Sequence, residues 1–174
     1  LEILRKKESL SQDVEARIAF RFQTSVLLSD RLERMDDAIE DMREVLGLQP
    51  GHADALARLD SLYLRTEQWM ELHDILLTRI EQAGSDDEKA ALLIRLGELR
   101  ETELEAVIEA VETYAEVLML DVQHPEAVDA LERLFDEPDH APFIAPLLEQ
   151  TYLAVDDWEG LIRVYEVMQA TSED

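Results

Sequence analysis

The sequence predicts an all-α protein, a solenoid built from antiparallel helical hairpins, and three observations carry that prediction. Gly and Pro number five each, and Leu, Ala, Glu, Asp and Arg, mostly helix formers, dominate the rest. Apolar residues recur at i, i+3, i+4 and i+7 through most of the chain, the spacing of one helix face. The chain also repeats itself. "EVLGLQPGHADALARLDSLY" at 44–63 returns 72 residues later as "EVLMLDVQHPEAVDALERLF" at 116–135, with eight of the twenty positions identical. Asp54/Glu126, Leu56/Val128, Asp60/Glu132 and Tyr63/Phe135 are conservative exchanges. Units that cannot bury their apolar stripe alone and recur at such a period stack into an array.

The elements follow in order. The same 72-residue shift lays "LEILRKKE" onto "HDILLTRI" (73–80), so residues 1–10 read as part of a second hairpin helix whose partner is absent. Helices are then expected over 12–33 and 35–48, the latter because "MDDAIEDMREVL" overlies "VIEAVETYAEVL" (107–118) with Ala38 on Ala110. "QPGH" (49–52) stops that helix and turns the chain. Ala55, Leu56, Leu59, Leu62 and Tyr63 form the stripe of a helix over 53–67, and Trp69, Leu72, Ile75, Leu76 and Ile80 that of one over 69–83. "SDDE" (85–88) is a capping box, with Ser85 serving the early amides and Glu88 reaching back. It opens a helix over 86–104 striped by Leu92, Leu93, Leu96, Leu99 and Leu104. Helices over 106–120, 125–136, 141–154 and 157–170 complete the chain, with "DEPDHAP" (136–142) as a turn and a kink expected near Pro146. Loops of a few residues make consecutive helices antiparallel.

This pattern resembles the tetratricopeptide repeat, a helical hairpin of about 34 residues. "RLGEL" (95–99) supplies the Leu96–Gly97 pair of the family's first helix. Ala38 and Ala110 match the small position of the second helix, Met42 and Tyr114 the bulky position after it, Val45 and Val117 come next, and Pro50 closes a unit. The resemblance spans nearly the whole chain and implies one right-handed array, residues 1–174. Its units are approximately 12–50, 51–84, 85–123, 124–156 and a partial 157–174, a piece of a longer repeat protein. The departures alternate. Leu72 and Ile144 replace the small Ala, Asp60 and Glu132 occupy the small position of the first helix, and Arg79 stands where a small residue should close the hairpin. Bulk at those points predicts wider packing in every second unit, which is why the period reads as 72.

A formal charge of −25, from 41 acidic and 16 basic residues, repels phosphate backbones and anionic lipid, so neither nucleic acid nor a membrane is the expected partner. No apolar run approaches the roughly 20 residues that span a bilayer, and with no Cys there is neither a disulfide framework nor a thiolate metal site. A cytoplasmic location fits that. Three Lys against thirteen Arg and no Asn is the composition of a GC-rich bacterial gene. No Gly-rich phosphate loop, H-E-x-x-H, G-x-S-x-G or calcium-loop pattern occurs, so neither an enzyme nor a cofactor is expected. Glu137 and His140 make a single E-x-x-H interrupted by Pro138, which reads as chance. His52 and His124, equivalent by the period, read as structural turn residues. Trp69 and Trp158, heading "WMEL" and "WEGL", read as packing between hairpins.

What remains is a surface. In the family that this chain resembles, the first helix of each hairpin lines a concave face. Carrying positions over gives Phe22, Val26 and Ser29, then Asp54, Ala57, Ser61 and Arg65, then Ile94, Glu98 and Glu101. Members that clamp a C-terminal carboxylate use Lys, Asn and Arg there, whereas Ala57, Ser61, Ile94 and Glu98 stand here, so no such clamp is expected. The resemblance implies a non-enzymatic scaffold taking a protein or peptide, a basic one being the sharper expectation from the charge. A structural spacer in a larger multi-domain repeat protein, or a regulatory repeat region attached to an enzyme elsewhere in the chain, is the alternative. Leu1, Ile3 and Leu4 should fray or cover themselves weakly with another copy of the chain.

Overall fold

A computed structural model describes residues 1–172, with side chains through Ala170. Among the described residues it contains α-helices and no strand: α1 (Glu2–Leu10), α2 (Val14–Arg31), α3 (Met35–Leu48), α4 (Ala53–Arg65), α5 (Trp69–Glu81), α6 (Asp86–Thr102), α7 (Val107–Leu120), α8 (Pro125–Phe135), α9 (Ala141–Ala154) and α10 (Trp158–Ser172). The chain forms two compact units, one ending at Gln82 and the other beginning at Ala83. In the first unit each helix from α1 to α5 packs on the next, and in the second each from α6 to α10 does so. The period aligns α2 with α6 and with α10, since their first residues 14, 86 and 158 are spaced by 72.

Local chemistry sets the ends. Ser85 caps α6 by accepting the Glu88 amide at 3.2 Å, and the Glu88 carboxylate reaches one residue further back than a capping box requires, to the Gly84 amide at 3.0 Å. His52 caps α4, its Nδ1 accepting the Ala55 amide at 3.3 Å. His124 holds the same place before α8 but makes no side-chain cap bond, and Pro125 opens that helix. The hairpin turns share another device. Glu33, Glu67, Glu105 and Asp156 take φ of 52–57°, the left-handed step that ends a helix and reverses the chain. It lets Gln68 N–H reach the Tyr63 carbonyl and Asp157 N–H the Tyr152 carbonyl, both at 3.0 Å. Helix α9 runs through Pro146.

Packing follows the small residues. Ser25 Oγ donates to the Ala38 carbonyl at 3.1 Å, both residues being fully buried. A Cβ added to Gly97 would stand 2.4 Å from the ring of Tyr114, so α6 and α7 approach as closely as a bare backbone allows. Hairpins α2/α3 and α6/α7 make more extensive contact than α4/α5 and α8/α9, the alternation that the bulky positions predict. The bulky positions are moreover partnered. Arg79 forms an ion pair with the buried Asp60, so two departures from the small-residue pattern satisfy each other across one hairpin. In the next period Tyr152 Oη donates to Glu132 at 2.9 Å, and burial followed by that bond raises the Tyr152 pKa. Trp158 departs from its expected role: it is 67% exposed, while Trp69 is half-buried.

Where α1, α2 and α3 meet, the core is ionic. Arg21 donates to Glu8 at 2.9 Å and to Asp41 at 2.7 Å and also pairs with Glu44, while Arg5 lies 3.0 Å from Asp41. Asp41 is fully buried, and its Oδ2 has no hydrogen-bond partner. Burial therefore outweighs the bond from Arg21 and the charge of Arg5 and raises the Asp41 pKa above its ordinary 3.8. A raised carboxyl pKa means that the folded state binds the extra proton, so Asp41's contribution is greatest below the ordinary value and is lost as pH rises through the folded one. Urea unfolding of the protein and of Asp41→Asn between about pH 4 and 7 should show the parent losing stability relative to the variant as pH rises. A gap that moves the other way would overturn the assignment.

Candidate partner-binding groove

In the second unit α6 and α8 border a groove of about 220 Å³, lined by Ile94, Glu98, Glu126, Asp129, Ala130 and Arg133, with Tyr114 of α7. Arg133 pairs with Glu101, and Tyr114 Oη donates to the same carboxylate at 3.1 Å. Burial first, then the charge of Glu101, raises the Tyr114 pKa, so this phenol stays protonated and acts as a donor. Glu101 thus consumes the groove's cation. Glu98, Glu126 and Asp129 are exposed and make no ion pair among the described residues. The wall is acidic, above an apolar floor of Ile94 and Ala130.

The equivalent face of the first unit, on α2 and α4, has a different character. The Phe22 ring tilts against His52 with centroids 5.4 Å apart, and Val26 is exposed beside it. Ser29 Oγ lies 2.7 Å from Asp30 Oδ1 and also meets Arg58. That hydroxyl, followed by Arg58, holds the Asp30 carboxyl below its ordinary range. Arg65 stands 3.7 Å from Asp30, and Asp54, Ser61 and Arg65 are all exposed. Shifted by 72, Val26 falls on Glu98, Ser29 on Glu101, Asp54 on Glu126 and Ser61 on Arg133. One backbone plan therefore carries an acidic lining in the second unit and an apolar, charge-balanced one in the first.

The sequence-expected residues consequently sort by exposure. Val26, Asp54, Ser61, Arg65 and Glu98 present open side chains, and Phe22 is half-buried. Ser29 (2% exposed) and Ile94 (4%) are covered, and Glu101 is engaged with Arg133 and Tyr114. Of these, Ile94 floors the groove, and Glu101 holds Arg133 and Tyr114 of its lining. Glu126, Asp129 and Arg133 escaped the sequence reading although a signal pointed to them, since they are the images of Asp54, Ala57 and Ser61 under the same shift. Near the start of the chain Leu1 and Ile3 are exposed, and Leu4 joins Phe22, Gln23, Val26 and Leu27 around an apolar hollow. No group of three or more His, Asp or Glu side chains could hold a metal ion among the described residues, and no helix there is long and apolar enough to cross a membrane.

Neither a protein-family model nor a curated protein matches the sequence. Solved structures do match in shape. A Podosopora anserina protein described as a kinesin light chain with nearly identical TPR-like repeats aligns with 99% of this chain and 85% of its own, at 16% identity and a TM-score of 0.56. A point variant of that protein aligns with 99% of this chain and 87% of its own, at 17% identity and 0.53. YrrB, described as a TPR protein with an unusual peptide-binding site, aligns with 95% and 92%, at 16% identity and 0.47. The chain has the tetratricopeptide-type helical-repeat fold, in agreement with the first two of these likenesses.

Proposed function

We propose that the protein is an interaction scaffold that docks a basic peptide or helical segment of a partner protein in the groove between α6 and α8 of its second unit. The observation that supports this is the set of uncompensated carboxylates Glu98, Glu126 and Asp129 rimming a groove whose single cation, Arg133, is already spent on Glu101. Like charges held apart by a folded backbone cost less when an opposite charge lies between them, and they steer its approach. The equivalent face of the first unit is a separate candidate contact surface, with Phe22 and Val26 apolar and Asp54, Ser61 and Arg65 polar at its rim. The mode is a segment laid into a groove, with charge setting encounter and register.

Affinity capture followed by mass spectrometry would supply the partner. Two measurements on that partner then test the reading. Raising salt from about 0.05 to 0.5 M should weaken binding chiefly through the association rate, because screening shortens the reach of the rim charges. Reversing Glu98, Glu126 and Asp129 to Lys should weaken it further and flatten the salt dependence. An affinity indifferent to both would leave the charge as a solubilising surface and sink the proposal.

A further inference from the structure

Arg133 reaches from α8 to Glu101 in the last turn of α6 and closes a two-pronged contact on it, Nη1 donating to Oε1 and Nη2 to Oε2, the latter at 3.1 Å. The same reach recurs. Arg58 of α4 meets Asp30 in the last turn of α2 at 3.3 Å, and Arg163 of α10 meets Asp136, the C-cap of α8, at 2.7 Å. A carboxylate at the C-terminal end of a helix faces the negative pole of its dipole and so demands a cation. Each of these acids is a seat for a guanidinium, and the chain fills it with an arginine of its own. The seats are not equal. Asp30 has a second cation, Arg65, 3.7 Å away, and the Asp136 side chain is 71% exposed. The Glu101 side chain is only 10% exposed and accepts the Tyr114 hydroxyl at 3.1 Å. Both its partners line the groove walled by Glu98, Glu126 and Asp129, which make no ion pair among the described residues.

Resting on the reading of this groove as a site for a basic segment, we propose that Arg133 is its built-in occupant and that an arginine of the partner displaces it from Glu101. The two groups bonded to Glu101 are unequal in such an exchange. Tyr114 is fully buried with its ring against Gly97, so it stays. Arg133 is a long side chain, 59% exposed, so it is the one that leaves. Asp129 lies one turn back on the same helix, at the i, i+4 spacing where an acid and a base meet, and a released Arg133 finds a second carboxylate there. The exchange therefore conserves ion pairs, and its cost is small. Arginine is selected over lysine because Glu101 offers two oxygens side by side. A planar guanidinium engages both with parallel bonds, and an ammonium does not. Glu98 and Glu126 remain to attract the rest of the segment's charge.

The test is a titration of labelled hexa-arginine and hexalysine with the whole chain at low salt, followed by fluorescence anisotropy. Hexa-arginine should bind the more tightly. Arg133→Gln should tighten it about three- to fivefold, the worth of one partly exposed ion pair that no longer has to be broken. Glu101→Gln should weaken it and erase the preference for arginine. The new amide oxygen still accepts from Tyr114, and Arg133 is exposed, so the helical circular dichroism of both variants should match the parent. The double variant decides the mechanism: without the Glu101 charge, Arg133→Gln should bring little gain. An equal gain in that background would mean that Arg133 acts only through net charge, and would overturn the proposal while leaving the groove reading intact. Unchanged or weaker binding to Arg133→Gln, or equal affinity for the two peptides, would overturn it likewise. No binding, or binding that reversal of Glu98, Glu126 and Asp129 to Lys leaves unchanged, would instead remove the groove reading, and this proposal with it.

Discussion

Arg21→Ala is expected to destabilise the first unit by about 3–5 kcal/mol, the range for removing one partner from a buried ion pair. The guanidinium is the hub between three helices, donating to Glu8 of α1 and Asp41 of α3 while pairing with Glu44. Burial works against its charge, but the bond to Asp41 and the fields of Glu44 and Glu8 outweigh that and keep it cationic. Without it, Asp41 keeps only Arg5 at 3.0 Å, and Glu8, the one buried residue of α1, faces no short-range cation except the longer contact from Arg17 at 4.0 Å. A charge left buried and unpaired is the penalty, not the loss of an attraction. The period supplies the control. Glu8, Arg21 and Asp41 fall on Ile80, Leu93 and Thr113, so Glu8→Ile, Arg21→Leu and Asp41→Thr together replace the network with residues already used at those positions. The triple variant should recover most of the loss, since apolar replacements of buried ion networks are often neutral or better. Urea unfolding decides it. An Arg21→Ala variant within about 0.5 kcal/mol of the parent, the margin of an ordinary surface change, would show that the network carries no stability.

Gly97→Val should cost at or above the top of the roughly 1–3 kcal/mol seen when a filled core is overpacked. Helix propensity alone argues for tolerance, because Gly is the weakest ordinary helix former and Val slightly better. The clash decides against it. A Cβ at Gly97 would sit 2.4, 2.8 and 2.9 Å from three ring carbons of Tyr114, before the two further methyl carbons of Val are counted. The ring cannot swing away, because Tyr114 is fully buried and its hydroxyl is held by Glu101, which is held in turn by Arg133. The separation of α6 and α7 must therefore open. A double-mutant cycle with Tyr114→Ala isolates this cause, and a coupling of at least about 1 kcal/mol is expected for directly touching side chains. Additive effects would mean that Gly97 is needed for something other than proximity to that ring.

The sequence alone determined the hairpins, their order and the points where helices touch. Those features are local or repeated. A stripe at i, i+3, i+4, a capping Ser85, a Pro50 turn and a small residue at Ala38, Gly97 or Ala110 declare themselves within a few positions, and the 72-residue shift lays Ala38 on Ala110, Ser25 on Gly97 and the capping Asp13 on Ser85. The groove was legible as a face but not as a surface. Ser29 and Ile94 lie on the expected helices yet are covered, because the exposure of a helical residue depends on what packs over the neighbouring turn, and spacing does not record that. Trp158 shows the same limit in reverse: an aromatic at the head of a helix is core only where another helix lies on its face. Tertiary structure alone decided the charge pairings. Asp60 and Arg79 look like two separate defects in the repeat until the hairpin brings them together, and Glu8, Arg21, Asp41 and Glu44 come from three helices to share one buried site. Glu101 and Arg133, 32 positions apart, cancel in the same way and leave Glu98, Glu126 and Asp129 to set the charge of the groove. Coulombic partners are chosen by distance in space, and distance in space is what a linear pattern leaves out.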